Sequence, residues 1–231
     1  MNNYKNKEGI FNESRLLDVY RIALKTGPNR FNVCVTAFIF FASLFYALES
    51  KDKIGIVLDI TRTTVSDGLA FSSSILGFLI AGFAIFLTPT RPELFVRMQE
   101  STHTRTGYTY LKYNLSGFVV VFIHYFLFAT TCFILKSFGG SGGPFSMLLH
   151  RISISDHDLY EKIRFIGVTS SFVGIESWFI YILMLMKSFI FNLYHMVMTM
   201  VAFEIEDRKK HTTEKVNLRT RRTCQRQRWK R

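Results

Sequence analysis

Cysteine and proline are scarce in this sequence. Of three cysteines, Cys34 and Cys132 sit inside apolar blocks, which excludes a disulfide-stapled scaffold. Only four prolines occur, and Pro89 and Pro92 fall where an apolar block ends. Acidic residues are also few: 17 Asp and Glu stand against 29 Lys and Arg, for a net charge of +12. Catalytic signatures are missing, with no HExxH, GxSxG or CxxC and no paired carboxylate in a recognisable motif. An enzyme is therefore not expected, and no cofactor or metal is implied.

What the sequence has instead is apolar and aromatic. Phenylalanine alone accounts for 24 of 231 residues, and mean hydropathy is +0.18. Segments that stay unfolded are poor in such residues, so disorder is excluded for most of the chain. Positive hydropathy and high charge coexist when apolar residues form blocks and charges lie between them, as in membrane proteins. A helix needs about 20 largely apolar residues to cross about 30 Å of hydrocarbon. Three blocks meet this: Phe31–Leu48, Leu69–Thr88, and Leu115–Leu135 with His124 inside it. The fourth, Phe165–Phe203, is 39 residues long. It is either a hairpin turning at Lys187–Ser188 or one long helix. No Gly, Pro or Asn-Gly turn signal lies near Lys187, so one helix extending into the cytosol is expected.

The predicted fold is thus all-α and polytopic, with four transmembrane helices. Residues 1–30 form a cytosolic segment, 31–203 the membrane domain and 204–231 a basic tail. Counting Lys and Arg fixes the expected orientation: 21 fall on the side of both termini and seven on the other. The positive-inside rule makes both termini cytoplasmic. The first block follows 30 mostly polar residues and lacks a cleavage site, so it reads as a retained anchor. Before it, Asn12 or Ser14 can cap a short amphipathic helix ending near Gly27–Pro28. Leu16, Leu17, Tyr20 and Leu24 share one face of it, expected on the inner membrane surface or against another cytosolic segment.

Small residues recur on the second block. Ala70, Ser74, Gly77, Ala81, Ala84 and Thr88 follow spacings of four and three and line one helix face. Such seams let helices approach closely in lipid, either within one chain or between subunits. The fourth block has a similar face in Gly167, Ser170, Ser171, Gly174 and Ser177. Three polar residues fall within apolar blocks. Glu176 and Lys187 project from nearly the same side, about 16 Å apart along a helix. They either reach the two interfaces, Lys187 by snorkelling, or pair with His124 in a buried relay. His124 itself suits an interhelical hydrogen bond or, less simply, proton sensing. No His, Cys or carboxylate stands three or four residues from it, so it has no metal-ligand partner in its own helix.

The tail carries Arg208, Lys209, Lys210, Lys215, Arg219, Arg221, Arg222, Arg226, Arg228, Lys230 and Arg231. A polybasic strip beside a membrane binds anionic lipid, contacts nucleic acid with Trp229 available to stack, or docks an acidic protein. The Gly-rich stretch Ser137–Ser146 lacks the Lys-Ser/Thr ending of a phosphate loop and reads as a turn before an interfacial segment, Met147–Ile154.

The stretch SSSILGFLIAGFAIFLT (Ser72–Thr88), followed by TPTRPELF (Thr88–Phe95), resembles small bacterial membrane proteins of uncharacterised function, some encoded beside phage-defence genes. Size and span layout are also similar to the membrane subunit of the Kiwa defence system. The resemblance implies an inner-membrane location and a defence role, and it carries over no functional residue. The expected function is a non-enzymatic, homo-oligomeric inner-membrane sensor or scaffold that recruits a cytosolic partner. The alternative is a small oligomeric pore that perturbs membrane potential. A transporter is disfavoured because neither an inverted repeat nor a broken helix is visible.

Overall fold

The computed structural model describes residues 16–25, 29–87, 92–102, 107–140, 142–155 and 157–228. Among these residues the regular structure is helical, apart from one isolated bridge between Thr102 and Thr109. The α-helices are α1 Leu16–Lys25, α2 Arg30–Glu49, α3 Ile54–Leu87, α4 Pro92–Glu100, α5 Tyr110–Phe138, α6 Pro144–Ser155 and α7 His157–Arg228. A 3-10 turn, Lys51–Lys53, joins α2 to α3. Four of the helices, α2, α3, α5 and α7, are long and apolar enough to cross a membrane.

Helix α2 shows why these segments suit a membrane better than a protein core. Its 20 residues rise about 30 Å, the thickness of a hydrocarbon core. Asn29 starts it by accepting the Phe31 N–H at 3.0 Å. Apolar side chains cover it on all sides, and Phe38, Phe41 and Phe45 are 72%, 66% and 71% exposed. Water would make that surface costly, whereas hydrocarbon solvates it. Helical backbone is equally required there, because lipid offers no partner for an open N–H or C=O.

Two helices exceed the expected blocks. Helix α3 begins at Ile54, so the residues before the expected block at Leu69 belong to the same helix. Gly55 and Gly68 do not break it, and the Thr61 and Thr63 hydroxyls donate to the carbonyls of Val57 and Asp59 within the same helix. Helix α7 runs unbroken through the fourth block, in agreement with the missing turn signal. Neither Gly nor Pro follows Gly174. Its 72 residues amount to about 108 Å, and no change of secondary structure marks the expected boundary between span and tail at residue 204.

Helix α7 forms the common wall of the bundle. Val65 and Leu79 of α3, Val121, Tyr125, Phe128 and Cys132 of α5, and Ile175, Ile182 and Phe189 of α7 make the main core. A second cluster joins α2, α3 and α7 through Ala47, Ile54, Val57, Val168, Phe172 and Val173. It lies at the end of the bundle that holds Lys51, which sits over the Phe165 ring. The third cluster, Met98, Met196 and Met200, seats α4 on α7 toward the opposite end. Phe128 is fully buried, stacked on Phe179 at 5.7 Å and edge-on to Trp178 at 5.6 Å.

Close approach of α3 to α5 rests on Gly68. A Cβ there would meet the Phe128 ring at 3.0 Å and Cys132 Sγ at 3.6 Å. Gly68→Leu is expected to destabilise the detergent-solubilised protein by about 1–3 kcal/mol through overpacking. Gly55→Ala, where a Cβ meets nothing within 4 Å, is expected to leave the melting temperature nearly unchanged. Thermal melts of the two variants beside the parent check this.

Candidate functional site

The small-residue face of α3 turns away from the interior of the chain, and that of α7 does so in part. Ala70, Ser74, Gly77, Ala81 and Ala84 are all exposed, and a Cβ on Gly77 would meet nothing. Gly167 and Gly174 are exposed as well, Ser171 is half-buried, and Ser177 is buried. Within the chain, therefore, these seams do not supply the close helix packing; Gly68 does, and it lies outside the spacing pattern. Thr88 lies outside the described residues.

His124, Glu176 and Lys187 are not brought together into a relay. Glu176 Oε1 accepts the Thr64 hydroxyl at 2.7 Å, tying α7 to α3. Lys187 Nζ sits 4.2 Å from the centre of the Phe31 ring at the start of α2. His124 Nε2 lies 3.2 Å from the Tyr20 hydroxyl, and its ring stands edge-on to Tyr181 at 5.2 Å. The separation follows from α7's geometry, since residues 176 and 187 lie about 16 Å apart with Tyr181 between them. The Tyr20 contact also places α1 against the middle of α5. A half-buried imidazole between helices gains from a polar partner, and Tyr20 provides one while Ile22 of the same helix is buried. Asn12, Ser14, Gly27 and Pro28 lie outside the described residues.

A cavity of about 900 Å³ opens between α2, α5 and α7 toward the Arg30 end of the bundle. Helix α7 supplies Tyr181 and most residues between Leu185 and Leu193, α5 the face from Tyr113 to His124, and α2 its first turn. Arg30 and Lys187 line it, and its lining contains no carboxylate. Asn32, only 2% exposed, donates from Nδ2 to the Met184 carbonyl at 3.1 Å and to Ser188 Oγ at 2.9 Å. Its Oδ1 and His124 Nδ1 are buried without a hydrogen-bond partner among the described residues. Sequence reasoning did not find this cavity, because its polar groups come from three helices far apart in the chain.

Arg97 was also missed as more than a topology charge. It donates to the Phe203 carbonyl at 2.9 Å, pairs with Glu206 at 3.2 Å and lies over the Phe203 ring. Helix α4 thereby brackets α7 where the apolar block ends. Beyond it, Arg208 pairs with Glu204 one turn back, and Lys209 is exposed. The side chains of Lys210, Arg219, Arg221, Arg222, Arg226 and Arg228, and the whole of Lys230 and Arg231, lie outside the described residues; the helical backbone reaches Arg228.

With this geometry in hand, comparison with protein-family models, curated proteins and solved structures gives no match. Function has to be argued from the residues themselves. The Tyr20–His124 contact offers a direct test of how α1 is held. Tyr20→Phe is expected to raise hydrogen–deuterium exchange of the α1 amides by roughly tenfold, the equivalent of a lost hydrogen bond of about 1.4 kcal/mol. Exchange in the central part of α7 should stay as in the parent protein.

Proposed function

We propose that the protein is a non-enzymatic scaffold of the bacterial inner membrane, which oligomerises and recruits a cytosolic partner along the end of α7. The observation that carries this reading is the length and attachment of that helix. Arg97 grips it at Phe203 and Glu206, and it continues to Arg228, about 33 Å further. A bracketed helix makes a stiff arm, because ordering it costs no further conformational freedom when a partner binds. The arm is strongly basic, so its partner is an acidic protein surface. Four crossings return the chain to the side on which it started, and the positive-inside bias makes that side the cytoplasm.

The exposed seams support assembly. Small residues turned outward on α3 and on the first half of α7 offer a neighbouring copy the close backbone contact that helices use in lipid. The likeness of residues 72–95 to proteins encoded in defence loci fits a scaffold that responds at the membrane to infection.

Two linked experiments test the reading. Full-length protein and a version ending at Ile205 are purified in mild detergent, and co-purifying proteins are identified by mass spectrometry. The full-length protein should retain a cytosolic partner that the shortened version loses. Gly77→Leu combined with Ala81→Leu should lower the oligomeric mass measured by light scattering without lowering the melting temperature, since both positions are exposed in the protomer. An oligomer that holds no partner and conducts ions after reconstitution would replace the scaffold with a pore.

A further inference from the structure

We infer that the cavity between α2, α5 and α7 is a binding site for the head group of an anionic glycerophospholipid. Three observations point there together. The first is charge: Arg30 and Lys187 both line the cavity, neither has an acidic partner among the described residues, and no Asp or Glu shares the lining. Two uncompensated cations beside a membrane-spanning surface attract a phosphate, and basic pockets between spans are a recognised seat for lipid head groups.

The second observation is unused hydrogen-bonding capacity. Asn32 is almost wholly buried, yet its Oδ1 accepts nothing. That oxygen exposes less than 1 Å², so a head-group hydroxyl satisfies it by displacing a neighbouring side chain while the cations hold the phosphate. When the Tyr20 hydroxyl donates to His124 Nε2, Nδ1 carries the ring proton and is a second unmet group, a donor, in the same wall. Leaving such groups unpaired in a low-dielectric interior is costly, so a ligand that meets them gains selectivity.

The third observation separates a lipid from a soluble anion. Every lining residue except Asn29 belongs to one of the candidate spans, so the cavity sits at the edge of the layer that lipid occupies. Exposed apolar side chains adjoin the lining: Phe31 and Val33 flank Asn32 on α2, Ile190 sits beside lining residues on α7, and Phe191, in the lining, is itself exposed. Acyl chains can lie along these residues while the head group enters. The volume, about 900 Å³, lies within the range of small-molecule sites.

The test uses full-length protein in detergent, with binding of phosphatidylglycerol, phosphatidylcholine and inorganic phosphate followed by native mass spectrometry. Phosphatidylglycerol should bind in preference to phosphatidylcholine, and millimolar inorganic phosphate should not displace it. Arg30→Gln with Lys187→Gln should weaken its binding by about tenfold or more. Gly117→Leu keeps both charges but fills the cavity, because a Cβ there meets nothing within 4 Å, and it should weaken binding similarly. Lys53→Gln with Lys162→Gln, exposed cations toward the other end, should leave binding unchanged. The inference is overturned if phosphate displaces the lipid, if the distant pair weakens binding as much, or if Gly117→Leu has no effect. Should the double variant at Arg30 and Lys187 fail to fold, the Gly117→Leu result decides alone.

Discussion

Hydrogen bonds to α7 fix the register of the bundle. Dispersion between apolar helices in lipid favours contact but is weakly selective for height, since a shift by one turn brings similar side chains together. Each neighbour of α7 adds a polar bond at a different level. Thr64 of α3 meets Glu176, Tyr125 of α5 donates to the Ile182 carbonyl at 3.0 Å, Asn32 of α2 reaches Met184 and Ser188, and Arg97 of α4 reaches Phe203 and Glu206. Such bonds contribute about 0.6–2 kcal/mol each in membrane bundles. The larger effect is negative: a slipped helix would leave the groups of Thr64, Tyr125 and Asn32 unpaired in an apolar interior, at several kcal/mol apiece.

Much of this architecture is legible in the sequence, because the determinants of a span are local. An uncharged apolar run is both the cause and the signature of a membrane helix, and the lack of Gly and Pro after Gly174 leaves α7 nowhere to turn. Pairing is not local. Tyr20 and His124 lie 104 positions apart, and nothing near either residue names the other. The small residues show the same limit in a different way. Spacing singled out Ala70 to Ala84, yet the tight α3–α5 contact is made at Gly68. A small side chain permits close approach; the bulk opposite it, here Phe128, decides where the approach happens.

Charge counting likewise treats unlike residues as equal. Arg30, Arg97 and Lys187 each add one positive charge, but their surroundings differ. Arg97 is two-thirds or more covered, and its guanidinium spreads over a carbonyl, a carboxylate and a ring, a fork geometry that a lysine cannot reproduce. Lys187 sits over one aromatic face, and Arg30 faces the cavity beside it. The orientation rule depends only on the sum of such charges near the membrane. Local chemistry depends on which donors are already engaged, and that is set by helices the linear sequence does not place together.

The cavity and the contact of α4 with α7 share a wall. Phe118 and Leu193 line the cavity and also pack against the Met98–Met196–Met200 cluster that seats α4 on α7. Phe189, edge-on to Phe118 at 4.8 Å, links that wall to the main core. Helices α5 and α7 therefore meet at this wall through side chains that serve the cavity and the α4 contact at once. Both elements are held against each other by the buried Tyr125–Ile182 bond a few turns away. Phe118 and the Met98–Met196–Met200 cluster lie on the same side of that bond, so the cavity wall and the α4–α7 contact form one packed unit, closed at its far edge by Arg97 on Phe203 and Glu206.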